Sequence, residues 1–293
     1  MDTRIRKIGQ DRQIYYQIKQ RIMLNKLKLI LFNSYIKYLE KFPIKKGKYR
    51  IAQILKYLFG SAIYEIDGVK LELNPISITD QRLISAKGHD PLVKELIMTL
   101  LNQGGTFLDI GANIGYFSLG AAKMPNVKVL AFEPSPRELI RLYRNICLNN
   151  YTNVIVFPYG LAESNKTLPL YLSSDYHPGM NSVLDLQSSA KLPTVNCQFF
   201  ALDRLIPESI LEDIRLCKID VEGFEISVLN GMKNSMKFMN QATFVVEISP
   251  SFLPKAGNKV HEIYDFFAAY GYQPKFGINE KVQYNEVFYK STV

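Results

Sequence analysis

The chain has 293 residues, 47% of them apolar, which gives room for one large domain or one and a half and for a substantial buried core. Its three cysteines, Cys147, Cys197 and Cys217, are odd in number and without close pairing; this argues against a disulfide frame or a zinc site and predicts reduced, buried thiols. The longest apolar run near the N-terminus, Leu29-Ile30-Leu31-Phe32, is too short for a membrane span or a signal-peptide core, so a cytoplasmic protein is expected.

The net charge of +9 is unevenly placed. Residues 1 to 58 hold 15 Lys and Arg against Asp2, Asp11 and Glu40, a balance of +12 that leaves −3 for the remainder. Such asymmetry points to two regions with different roles. In the basic arm Ile14, Ile18, Ile22, Leu24, Leu27, Leu31, Tyr35, Leu39 and Phe42 recur at helical spacing, predicting one or two basic amphipathic helices that stop near Pro43. This extension, residues 1–60, is a candidate lid over the substrate, a packing or homodimer element, or a peripheral contact with the inner membrane surface. A short helical pattern from Ile51 to Phe59 ends at Gly60. Tyr64 to Leu73 then gives two alternating runs around Asp67-Gly68, a two-residue hairpin signal.

A different rhythm begins at Asp90, an N-cap followed by Pro91 and the stripe Leu92, Val93, Leu96, Ile97 and Leu100. Gly104-Gly105 ends that helix. Strands Thr106–Ile110, Val127–Phe132 and Val154–Phe157 then alternate with helices from Ile114 and over Pro136–Leu148. Ser135-Pro136-Arg137-Glu138 reads as a capping box. After an irregular stretch come strand Leu216–Val221, a short helix, strand Thr243–Ile248, helix Lys259–Tyr270 and two strands near Tyr272–Phe276 and Glu286–Tyr289. Alternation of this kind predicts an α/β fold, a mostly parallel sheet covered by helices on both faces. The last two strands are too close for a helical crossover and must run antiparallel.

In an open parallel sheet, ligands bind beyond the carboxyl ends of the strands where strand order reverses. Asp109, Gly111, Asn113 and Gly115 follow the first sheet strand. Gly111 permits a sharp turn, Gly115 lets the next helix approach, and Asn113 tolerates a left-handed backbone. No Gly-Lys-Ser/Thr follows, and the G-x-G-x-x-G spacing of dinucleotide folds is absent. Glu133, with Pro134 behind it, ends the next strand where a carboxylate can accept both ribose hydroxyls. Together these features indicate adenosine without pyrophosphate.

"FLDIGANIGYFS", "LAFEPSP", "RNICLNN" and "LCKIDVEGFEISVLNGM", in that order, closely resemble the FkbM family of S-adenosylmethionine-dependent methyltransferases over about residues 80 to 275. The resemblance implies the Rossmann-like class I methyltransferase sheet, order 3-2-1-4-5-7-6 with the last strand antiparallel; with the change of rhythm along the chain, a methyltransferase domain is expected at 61–293, its hairpin at 64–73 and its core over about 90–293. It implies S-adenosyl-L-methionine as cofactor, on Asp109, Gly111, Asn113, Gly115, Glu133, Pro134 and Asp220. It also implies a hydroxyl-bearing acceptor: a sugar, glycan, glycolipid or polyketide.

Methyl transfer to such a hydroxyl needs the oxygen positioned and its proton removed. Asp220, beside the ligand crevice, is the first candidate for base or acceptor-orienting group; Glu222 is the second, on the same face while the chain is extended, and Glu225 a third. Acids at 222 and 225 also suit the start of the following helix. His177, with Asn181 and Ser182 in a Gly-Pro-punctuated loop, is the one histidine placed to act as a base. Asp220 and Glu247 end neighbouring strands and could share a divalent ion, but no metal is assigned. The Asp/Asn-Pro-Pro-aromatic tetrapeptide of many N-methyltransferases is missing, which favours an oxygen acceptor. An RNA 2′-O-methyltransferase is the alternative raised by the basic arm; against nucleic acid, the arm's aromatics fall on its apolar stripe.

Overall fold

The computed structural model describes residues 61–74, 77–85, 90–173, 178–186 and 192–291. The basic arm, His89 and His177 lie outside the described residues. The hairpin forms as expected: β1 (Ala62–Ile66) pairs antiparallel with β2 (Val69–Leu73), and Asp67 and Gly68 both take positive φ, 53° and 75°. Two left-handed residues in a two-residue loop match the right-handed twist of the strands they join. Helix α1 (Ile78–Ser85) follows, then α2 (Pro91–Leu100), where the Asp90 carboxylate accepts hydrogen bonds from the Leu92 and Val93 amides.

The central sheet contains β3 (Gly105–Ile110), β4 (Val127–Phe132), β5 (Val154–Phe157), β9 (Ile214–Ile219), β10 (Thr243–Ile248), β11 (Gln273–Pro274) and β12 (Tyr284–Tyr289). Its spatial order is β11-β12-β10-β9-β3-β4-β5, and β12 runs antiparallel to both neighbours. Numbered along the chain and read from β5, this is 3-2-1-4-5-7-6, the order expected. Between β3 and β9 the winding reverses, so a crevice opens beyond Ile110 and Ile219, which are paired in register.

Helices cover both faces. Alternate strand residues Phe107, Val129, Ala131, Leu216 and Val245 pack with α2, α3 (Tyr116–Ala122) and α4 (Pro136–Asn149). Leu108, Leu130, Phe132, Cys217, Phe244 and Val246 face the other way, toward α6 (Glu225–Asn230) and α7 (Val260–Ala269). Burial on both faces explains the near-continuous apolar runs of these strands. Two asparagines on α4 hold the hairpin to this core. The Asn145 side chain accepts from the Glu72 amide and donates to the Ile114 carbonyl, and Asn149 does the same for both backbone groups of Lys70.

Three expectations need correction. The stretch between β5 and β9 is not irregular: β6 (Gly160–Leu161), β7 (Lys166–Tyr171) and β8 (Thr194–Phe200) form a second sheet in the order β6-β8-β7, with the four-residue helix α5 (Glu208–Leu211) after it. The capping box does not form. Ser135 Oγ is buried without a partner among the described residues, the Ser135 amide donates to Glu133, and the Glu138 side chain turns to Arg137 and Arg141. Finally, Cys147 is exposed on α4; Cys197 and Cys217 are buried thiols as expected.

Candidate active site

The glycine turn leaves β3 at Ile110, and its backbone is left-handed at Gly111 (φ 85°), Asn113 (φ 53°) and Gly115 (φ 88°). At Gly111 no other residue fits: a Cβ would stand 1.9 Å from the Asp220 carbonyl oxygen. A Cβ at Gly115 would stand 2.4 Å from Leu142 Cδ1, so that glycine lets α4 approach. The two consecutive turns delay α3 to Tyr116, two residues beyond the expected start at Ile114.

Glu133, at the end of β4, is buried. Its Oε2 accepts from the Asn113 amide and its Oε1 from the Ser135 amide, each at 2.8 Å. The carboxylate therefore ties the glycine turn to the start of α4, and each oxygen keeps a lone pair for a ligand. Burial, opposed by those two amides, pushes its pKa up to about 8.

Two clefts meet at this turn. The first is lined by Gly111, Asn113, Glu133, Pro134 and Glu138, with Leu161, Leu170 and Phe199 of the small sheet. The second is lined by Thr79, Arg82, Tyr116, Phe117, Lys218, Glu247 and Gln283. Gly111, Asn113, Gly179, Asp220 and Glu222 belong to both. Asp109 and Gly115 line neither. Asp109 is buried behind the turn, where its Oδ2 accepts from Ser118 Oγ at 2.6 Å.

At the junction, Asp220, Glu222 and Glu247 bring one carboxylate oxygen each within 4.8 Å of one another, a spacing able to hold a cation. A cationic group of the chain already stands there: Lys218 Nζ lies 2.7 Å from Asp220 Oδ2 and 5.3 Å from the centre of the Phe117 ring. Lys218 is buried. Burial alone would lower its pKa, but Asp220 and Asp109 override that and raise it. Glu247 is driven well above the carboxylate range by burial, then by Asp220, with which it shares a hydrogen bond. Glu222 is pushed up to about 8 by burial first, then by the charges of Asp220 and Glu225.

The convergence of Asp220 and Glu222 does not arise from an extended chain. β9 ends at Ile219 and Glu222 is left-handed, φ 52°. Its Oε2 is buried without a partner among the described residues. Glu225 opens α6, accepts from the Gly223 amide at 2.9 Å and lines neither cleft, so the role of helix-start acid falls to Glu225 rather than Glu222. Of the loop residues, Asn181 and Ser182 line the first cleft. Asn181 Oδ1 accepts from Arg137, and Ser182 Oγ donates to the Glu222 carbonyl.

Sequence reasoning missed Lys218. The signal was present: a lysine inside "LCKI", in a strand buried on both faces, must find a carboxylate. It also missed the wall supplied by the small sheet.

Residues 109–274 match the model of the methyltransferase FkbM domain. The chain belongs to the FkbM methyltransferase family. It is a methyltransferase of the class I fold, and its cofactor is S-adenosylmethionine. Methyltransferase sdnD of Sordaria araneosa is 36% identical over 157 residues, 43% of this chain and 59% of that protein. The match thus spans about three fifths of that relative's length. Hexuronic acid methyltransferase AglP of Haloferax volcanii is 27% identical over 199 residues, 68% of this chain and 78% of its own. Among solved structures, a precorrin-6y C5,15-methyltransferase from Geobacter metallireducens is 16% identical with a TM-score of 0.40, covering 68% of this chain and 88% of that one.

The residues present fit the FkbM cofactor. A turn that only glycine can make leaves Gly111 bare against the cleft, and Glu133 offers a fixed carboxylate at the end of the next strand. Gly111, Asn113, Glu133 and Pro134 would hold the nucleoside end, and Asp220 borders the junction with the second cleft.

Proposed function

We propose that this FkbM protein is an O-methyltransferase whose acceptor is a sugar hydroxyl, free or within a glycan or glycolipid. The observation that carries the reading is the group of three carboxylates around Lys218, set where the cofactor cleft meets the second cleft. Bound S-adenosylmethionine supplies an electrophilic methyl group. The rest is the work of the chain. A hydroxyl entering by the second cleft meets Asp220, whose carboxylate is fixed by Lys218 and accepts a hydrogen bond that orients the oxygen. Glu222, which borders both clefts and has an oxygen without a partner among the described residues, takes the proton as the new bond forms. Lys218 keeps positive charge against the cluster as that proton arrives. The hexuronic acid named for the Haloferax relative supports a sugar as the acceptor class.

The experiment is transfer of labelled methyl from S-adenosylmethionine into an extract of the source cell, separated into lipid, polysaccharide, RNA and protein. Label is expected in polysaccharide or glycolipid. Label confined to RNA or protein would overturn the sugar reading.

A further inference from the structure

The second cleft runs from the carboxylates to α1, and Arg82, in the last turn of that helix, stands on its wall with Thr79 and Gln283. Other arginines beside the site are committed. Arg137 binds Glu138, Asn181 and the Ser173 carbonyl, and Arg141 binds Asp80 and Glu138. Arg82 is exposed and makes no ion pair among the described residues; Asp80, two positions away on the helix and so turned to another side, is held by Arg141. A guanidinium presents its donors in a flat fork that matches a carboxylate or a phosphate. The inner end of the cleft carries Asp220, Glu222 and Glu247, with Lys218 as buried counter-charge. That end offers an anionic group no free cation, because Lys218 is already paired with Asp220, so a negative group on an acceptor is held only where an uncommitted cation waits. Among the described residues, Arg82 meets that condition.

We infer that Arg82 selects an acceptor bearing an anionic group, carboxylate or phosphate, on the same sugar as the methylated hydroxyl. This rests on the hydroxyl-methylating reading above. It adds to that reading a substrate charge and the residue that reads it.

The test measures initial rates for wild type, Arg82→Gln and Arg82→Lys on a panel of hexoses, hexuronic acids and hexose phosphates, free and as methyl glycosides. Wild type should prefer an anionic member, and whether that is a uronic acid or a phosphate identifies the source of the charge. Arg82→Gln should raise KM for that acceptor by about 10–100-fold, the loss of a charge-assisted pair, with kcat held within a few-fold. Arg82→Lys should recover part of the loss. Equal use of neutral and anionic sugars by wild type would overturn the inference and leave the sugar reading standing. An anionic preference that survives in Arg82→Gln would remove Arg82 from the role. If wild type methylates no member of the panel and the extract transfer labels only RNA or protein, the sugar reading falls and this inference with it.

Discussion

Glu222→Gln should slow single-turnover methyl transfer by about 10²–10⁴ at saturating S-adenosylmethionine, the usual cost of losing a positioned base. Affinity for the cofactor should change little, because the variant keeps the shape of the side chain and the Glu222 backbone. The wild-type enzyme should show a matching pH dependence. Burial raises the Glu222 pKa to about 8, and only the ionised form accepts a proton. The sign follows: turnover rises with pH, about tenfold per unit well below that value, and levels off above it. Glu222→Gln should lose this rise. Running Asp220→Asn alongside separates the two acids. If Glu222→Gln transfers methyl at the wild-type rate while Asp220→Asn does not, Asp220 is the proton acceptor and Glu222 only shapes the site. Asp220→Asn also leaves Lys218 buried without its ion pair, so its thermal midpoint must be measured with its rate.

Glu133→Ala should weaken S-adenosylmethionine binding by roughly 2–4 kcal/mol, one to two charged hydrogen bonds, or about 30–900-fold in Kd. The alanine variant also strips the acceptor from the Asn113 and Ser135 amides, so part of the loss comes from a loosened glycine turn. Glu133→Gln keeps an acceptor for one of those amides and should fall between wild type and alanine. Calorimetry with S-adenosylhomocysteine reads the effect without turnover. Unchanged affinity in the alanine variant would take Glu133 out of the cofactor site.

The strands most legible in the sequence were those buried on both faces. Val127–Phe132 and Thr243–Ile248 stand where their near-continuous apolar runs placed them, as such runs suit a covered parallel sheet. The small sheet was hidden for the opposite reason. Along β7 exposure alternates and Pro169 interrupts the pattern, while its partner β8 lies more than twenty residues away, so pairing rather than local preference makes the strand. The Ser135 capping box failed because its groups were claimed elsewhere: the Ser135 amide donates to Glu133, and Glu138 turns to two arginines of its own helix, one of them anchored across the site to Asn181.

Within the site, Gly111 and Glu133 were readable because a strand-end glycine and a following acid each serve one geometric need. The pairing of Asp220 with Glu222 was expected from an extended chain but arises from a left-handed turn. Glu247 joins them only through the register of β9 and β10, which sets Val246 beside Ile219 and Glu247 one residue further on. The placement of Asp220 and Glu247 at the ends of neighbouring strands was legible from the order of strands, and the register supplies their approach.

The most direct test of the hydroxyl-methylating account is the chemical linkage of the transferred methyl. Labelled product from the extract transfer, isolated and hydrolysed in strong acid, should release the label as an O-methyl sugar, with the ether intact at one hydroxyl position. Label recovered on nitrogen, or at a ribose 2′-oxygen of RNA, would contradict it.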